Sequence, residues 1–164
     1  TVPPAPVDAA PEKRGDAAPS PDLTIPPNAA RTGDLAFLDG CWDTISEVTE
    51  GRTKEQLVNT FCFKGGAAKV TFFKTTDGQR DLCSGAGEAR FDGDGRLVID
   101  ETQRASCSID RSASYARWKV ACQTSDGLAY CTGSDVEGPQ KDVRNPLVLK
   151  RSKTADRSNA AATP

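Results

Sequence analysis

The stretch Leu38-Asp39-Gly40-Cys41-Trp42 divides the chain into two compositions. Before it, residues 1–34 hold eight of the eleven prolines, interleaved with Ala, Asp and Ser and without a periodic apolar pattern. Such a composition cannot bury enough surface to offset chain entropy, so 1–34 is expected to be a disordered, polyproline-like linker. Its Pro3-Pro4-Ala5-Pro6 run is too generic to name a reader. Leu35-Ala36-Phe37-Leu38 is a short apolar lead-in suited to capping one end of a barrel. From Gly40 onward, β-branched and aromatic residues alternate with turn residues, and the folded domain is expected over 35–152, with a disordered tail over 153–164.

Strands are expected near 41–50, 53–63, 67–75, 80–91, 96–109, 115–124, 127–133 and 145–151. Between them stand Glu50-Gly51-Arg52-Thr53, Lys64-Gly65-Gly66, Thr76-Asp77-Gly78, Asp92-Gly93-Asp94-Gly95, Asp110-Arg111-Ser112, Asp126-Gly127 and the run 134–145. Eight sequential strands in one open sheet would leave exposed edges, whereas a closed barrel removes them. The fold class is therefore all-β, an eight-stranded antiparallel up-and-down meander barrel, with a β-sandwich as the alternative.

Six cysteines, Cys41, Cys62, Cys83, Cys107, Cys122 and Cys131, are an even number, none in a C-x-x-C, and the chain has no histidine. A zinc site would have to be all-thiolate at unfamiliar spacing, so disulfides are expected instead, and with them an oxidising, extracytoplasmic compartment: periplasm, cell surface or secreted medium. Two registers test this. A two-residue turn at Gly51-Arg52 sets Cys41 opposite Cys62 and Trp42 opposite Phe61; a type I′ turn at Asp126-Gly127 sets Cys122 opposite Cys131. Both pairs fall at non-hydrogen-bonded positions, where Cα atoms come within disulfide reach. Cys83 with Cys107 follows only by elimination, because a four-residue turn at 92–95 puts Cys83 opposite Arg104. The competing connectivity is Cys107 with Cys122 and Cys83 with Cys131.

Gly40-Cys41-Trp42, opening the first strand, resembles the G-x-W of the calycin superfamily, the lipocalins and their relatives. The resemblance implies an up-and-down barrel in which Trp42 closes the floor and a basic side chain from the end of the last strand, here Arg151, lies across it. Gly40, Trp42 and Arg151 are thus the expected barrel-closing residues. Unlike lipocalins, the stretch after Cys131 has no 3.6-residue period, so the resemblance carries the barrel more than a ligand cavity.

Chemistry is sparse. With 21 basic and 23 acidic residues the chain has no polyanion-binding footprint, and no apolar run approaches the ~18 residues of a membrane span. The absence of His excludes Ser-His-Asp and Cys-His machinery. Asp92-Gly93-Asp94-Gly95 departs from a calcium loop at Arg96 and Leu97 and reads as a hairpin turn. Asp43, Glu47, Glu88, Asp100 and Glu101 could in principle pair for acid–base work, but carboxylates on strands ordinarily face solvent. Ser84-Gly85-Ala86-Gly87 suits a bulge or barrel corner better than a phosphate loop. Lys141, Arg144, Lys150, Arg151 and Lys153 could form a modest basic face.

No catalytic, cofactor or metal residue is assigned, and no enzymatic activity is expected. Trp42, Thr44, Leu57, Asn59 and Phe61, with Trp118 and Val120, are expected to close-pack the lumen. The function expected is that of a monomeric, soluble, non-catalytic extracytoplasmic module on a Pro-rich stalk, binding a protein or cell-envelope partner. The alternative is a lipocalin-like carrier of a small hydrophobic ligand.

Overall fold

A computed structural model describes residues 19–49 and 54–153. Eight strands follow one another around a closed barrel: β1 Gly40–Ser46, β2 Thr60–Lys64, β3 Ala67–Thr76, β4 Gln79–Phe91, β5 Leu97–Cys107, β6 Trp118–Ser125, β7 Leu128–Asp135 and β8 Asn145–Arg151. Each pairs antiparallel with the next, and β1 returns to β8 from Trp42 opposite Arg151 to Ser46 opposite Leu147. No edge strand is left to recruit another chain. Among the described residues no helix is long and apolar enough to cross a membrane.

Turn chemistry sets the registers at one end of the barrel. Asp126 and Gly127 both adopt positive φ, 51° and 79°, as a type I′ turn requires, and Cys122 then faces Cys131. In the first hairpin Cys41 faces Cys62 and Trp42 faces Phe61, but the pairing does not run on to a turn at Gly51-Arg52. The Asn59 N–H donates to the Thr44 side-chain Oγ1 at 3.0 Å, and the bridge nearer the tip joins Thr49 to Gln56, displaced by two residues. A hydroxyl has taken a ladder position, so β1 ends at Ser46 and β2 starts only at Thr60. Residues 50–53, with the expected turn, lie outside the described residues.

All three disulfides join neighbouring strands: Cys41–Cys62, Cys83–Cys107 and Cys122–Cys131, with Cα separations of 4.0, 3.9 and 4.0 Å. The register of Cys83–Cys107 differs from the four-residue-turn estimate for two reasons. The β4–β5 connection spans 92–96, and β5 carries an extra residue at each of two shifts, between Ser84 and Ala86 and between Ala86 and Gly87. Gly85 and Gly87 stand at those shifts because a Cβ on either would approach a β5 carbonyl oxygen, Gln103 O or Asp100 O, to 2.9 Å.

The expected disordered linker over 1–34 is corrected for its described part. Pro21, Leu23 and Ile25 are buried in alternation with exposed Asp22 and Thr24, and Leu23, Ile25 and Ala29 join the main hydrophobic core. This strap pairs at Thr24 with Leu128, and the Ala129 N–H donates to Leu23 O at 2.9 Å. A four-residue helix, α1 Ala29–Thr32, and a 3-10 turn, Ala36–Leu38, then lead into β1. Two alternating apolar residues among prolines are too few to register as periodic, yet they suffice to cover one barrel end. Residues 1–18 and 154–164, including Pro3-Pro4-Ala5-Pro6 and nearly all of the expected 153–164 tail, lie outside the described residues.

Candidate functional site: the open end of the barrel

The two ends of the barrel differ because the chain closes one of them. At the sealed end the connections are short, at 65–66, 92–96 and 126–127, and the strap lies over them. There the Trp42 Nε1–H donates to Leu38 O at 2.7 Å, and the Arg151 guanidinium covers the Trp42 ring at 3.9 Å from its centroid. Arg151 also donates to Asp39 O at 3.1 Å. Gly40 has φ 113°, and a Cβ there would stand 2.4 Å from Arg151 Nη1, so only glycine lets the guanidinium pass. Gly40, Trp42 and Arg151 therefore form one cluster at this end.

At the opposite end residues 47–49 and 54–59 and the connections 77–78, 108–117 and 136–144 stand around a mouth. The core divides here. One cluster centred on Trp42, Phe61, Ile99 and Val120 fills the sealed half, and a smaller one of Phe72, Cys83, Ala105 and Cys107 lies toward the mouth. A cavity of about 150 Å³ is lined by members of both, Trp118 from the first and Phe72 and Ala105 from the second. The expected close packing of the lumen does not extend to the mouth, where this space opens. Trp42, Thr44, Phe61, Trp118 and Val120 are buried, but Leu57 and Asn59 sit in the β1–β2 connection, half-buried, and line the cavity.

Glu101 lines the same space. It continues the inward row Leu97, Ile99 along β5, so the period-two pleat commits it to the interior, and it is only 8 % exposed. Its partner across the sheet is Gly87, which offers no side chain to cover it. The Trp118 N–H donates to Glu101 Oε2 at 2.9 Å, and among the described residues Oε1 accepts no hydrogen bond. Burial pushes the Glu101 carboxyl up to about 7; the Trp118 N–H opposes this and the charge of Asp135 adds to it. Asp135, on β7 opposite Trp118, also lines the cavity and is likewise raised by burial. Among the described residues no basic side chain lines the space. The Trp118 indole fits because β7 has glycine beneath it: a Cβ on Gly133 would fall 2.3 Å from Trp118 Cζ2.

The connections around the mouth are pinned by acids. Asp81, fully buried, accepts from the N–H groups of Ile109 and Asp110, at 2.8 and 2.9 Å, and from the Thr76 hydroxyl. Burial works to raise its carboxyl, but these donors and nearby Lys74 outweigh it and hold it below the ordinary value. Lys74 pairs with Asp110 at 2.7 Å, and Tyr115 meets Phe72 edge-to-face at 5.0 Å. Glu137 Oε1 takes Arg104 at 2.8 Å and Arg117 at 3.6 Å, tying the β7–β8 connection to β5 and to the β5–β6 connection. The mouth is therefore preorganised.

The five strand carboxylates do not converge. Asp43 accepts from Thr60, Asp100 pairs with Arg90 at 3.2 Å, Glu47 and Glu88 are exposed, and only Glu101 turns inward and is buried. Asp135 was not among them, although counting alternate residues from Cys131 reaches it through Gly133. In the 92–96 turn, Asp92 and Asp94 are engaged by Arg96, at 3.0 and 3.5 Å. The expected basic face is not one face. Lys141 and Arg144 lie in the connection at the mouth, whereas Lys150 pairs with Asp22 at 2.8 Å and Arg151 covers Trp42, both at the sealed end. Compared with protein-family models, with curated proteins and with solved structures, the chain matches none.

Proposed function

We propose that the protein is a non-catalytic extracytoplasmic binding module whose mouth engages a group of a protein or cell-envelope partner. The observation that carries this reading is the asymmetry of the barrel: one end is covered by the core-packed strap, and the other presents pinned connections around a small cavity. Exposed Ile109, Val136 and Val143 stand on those connections, and apolar side chains held out to solvent are a feature of interaction surfaces. A cavity of about 150 Å³ is smaller than the roughly 300–1,000 Å³ of sites that enclose a whole small ligand, which favours a partner's protruding group over carried cargo. Three disulfides support an oxidising compartment. The stacking of Arg151 on Trp42 beside Gly40 supports kinship with calycins. The aromatic lining from Phe72, Tyr115 and Trp118 favours, as a second reading, a carrier of a very small ligand.

A photo-crosslinking residue placed at Ile109 or Val143, in cells that make the protein, tests the first reading against one at Asp126. Discrete adducts from the mouth positions and none from Asp126 are expected. Adducts from Asp126 alone would overturn the assignment of the mouth.

A further inference from the structure

We infer that the mouth cavity is a receptor for an alkylammonium group, its charge met by Glu101 and Asp135 and its carbon chain by Phe72, Tyr115 and Trp118. The inference rests on the reading that the mouth is the binding end, and adds the chemistry of what enters it.

Four observations converge. Two carboxylates from separate strands line the cavity on either side of the Trp118 backbone: Asp135 lies opposite Trp118 in the sheet, and Glu101 accepts the Trp118 main-chain N–H. Among the described residues no Lys or Arg lines the cavity, and Lys74 nearby pairs with Asp110 at 2.7 Å while lying 5.6 Å from the centre of the Tyr115 ring. Glu101, 8 % exposed, accepts the Trp118 N–H through Oε2, and among the described residues no hydrogen bond reaches Oε1, so a largely buried carboxylate bordering the cavity has acceptor capacity left. Three aromatic side chains line the same space, and the negative faces of such rings attract organic cations. An anion or a neutral apolar body would meet the carboxylates without compensation; an ammonium satisfies them.

Size restricts the ligand to a short chain or a side-chain tip, because a space of about 150 Å³ holds one benzene-sized body. An alkylammonium can come from two sources, a free small amine or a lysine side chain of a partner protein, and the chemistry is the same for both.

The test uses the oxidised full chain and follows its two indole N–H resonances, Trp118 at the mouth and Trp42 at the sealed end. The probes are n-butylammonium chloride, 1-butanol and sodium butyrate at matched ionic strength, and N-acetyl-lysine amide. Saturable shifts of Trp118 and not Trp42 are expected with butylammonium, with at least tenfold weaker binding of butanol and butyrate. Glu101→Gln keeps the acceptor for the Trp118 N–H and should weaken butylammonium about tenfold; Asp135→Asn should weaken it in the same direction. With Glu101 titrating near 7, the ionised fraction falls about tenfold from pH 8 to pH 6, and the affinity should fall with it. Comparable binding of N-acetyl-lysine amide would identify a protein side chain as the source, and its failure beside a binding butylamine would identify a free amine; either supports the inference. Butanol or butyrate shifting Trp118 as tightly as butylammonium would overturn the cation assignment while leaving the mouth as the binding end. Absence of saturable Trp118 shifts with any probe would overturn the inference too, and the crosslinking experiment judges the mouth separately.

Discussion

The backbone N–H of Trp118 donates to the carboxylate of Glu101 across 2.9 Å, at the point where regular pairing between β5 and β6 stops. The ladder runs from Leu97 opposite Cys122 to Asp100 opposite Lys119, and at the next step a side chain takes the place of a carbonyl. A carboxylate drawn into the sheet this way is desolvated yet retains one hydrogen bond. It ends the strand pairing, positions the indole and supplies the buried charge at the floor of the mouth.

Folding raises the Glu101 carboxyl from 4.5 to about 7, with burial as the main cause. The folded state therefore holds this proton more tightly than the unfolded chain. The stability it contributes is complete below about pH 4.5 and is lost as pH rises through 7, a change of roughly 3 kcal/mol. Glu101→Gln cannot titrate and keeps an acceptor for Trp118. In urea unfolding, the variant should gain on the native protein between pH 4.5 and pH 8, by up to that amount, and the two curves should run parallel above pH 8. A gap between them that is the same at every pH would show that Glu101 is not charged at a cost in the folded state.

The strap is structural, and Leu23 is its main anchor, 1 % exposed within the core of the sealed end. Leu23→Ala should cost about 2–5 kcal/mol, as for other buried leucines. Thr24→Ala, on the exposed face of the same segment, should cost well under 1 kcal/mol. Equal, small losses for both substitutions would show that the strap is not part of the cooperative core.

What was legible in the sequence was what short-range chemistry dictates. Asp126-Gly127 demands one turn type, and that turn dictates the partner of Cys122. The first hairpin was legible at its cysteines but not at its tip, because a single Thr44 hydroxyl replaces a ladder acceptor and nothing in a strand-like pattern announces it. The partner of Cys83 was displaced by a connection one residue longer than a four-residue turn and by two inserted residues whose trace is the pair Gly85 and Gly87. Glu101 was visible as a strand carboxylate; its inward direction follows from continuing Leu97 and Ile99. Asp135 escaped because Gly133, the residue before it on the inward row, carries no apolar side chain and so hides the alternation.

Gly133 is required for space, not for backbone freedom, since a Cβ there would enter the Trp118 ring at 2.3 Å. Gly133→Ala should displace the indole into the mouth cavity and destabilise the barrel by about 1–3 kcal/mol, the usual cost of overpacking. The Trp118 indole N–H resonance should move while that of Trp42, at the sealed end, stays in place. An unchanged Trp118 environment in the alanine variant would contradict this packing.

The disulfides close segments separated by 21, 24 and 9 residues, each worth roughly 3 kcal/mol in the chain-entropy model. Together they match the ~5–15 kcal/mol that a domain of this size possesses. Removing one pair by double Cys→Ala substitution should leave a folded but less stable barrel, and reducing all three should unfold it near room temperature. The three are not equivalent in position. Cys122 and Cys131 belong to the main core and Cys83 and Cys107 to the cluster beside the mouth, whereas Cys41 and Cys62 stand one step along their strands from the inward pair Trp42 and Phe61, on the outer face. Cys83→Ala with Cys107→Ala should therefore loosen the mouth selectively. Amide hydrogen exchange should quicken at Ile109 and Asp110, whose N–H groups are held by Asp81 next to that bridge, more than at Ala129 in the sealed end. Uniform acceleration at both ends would show that the barrel opens only as a single unit.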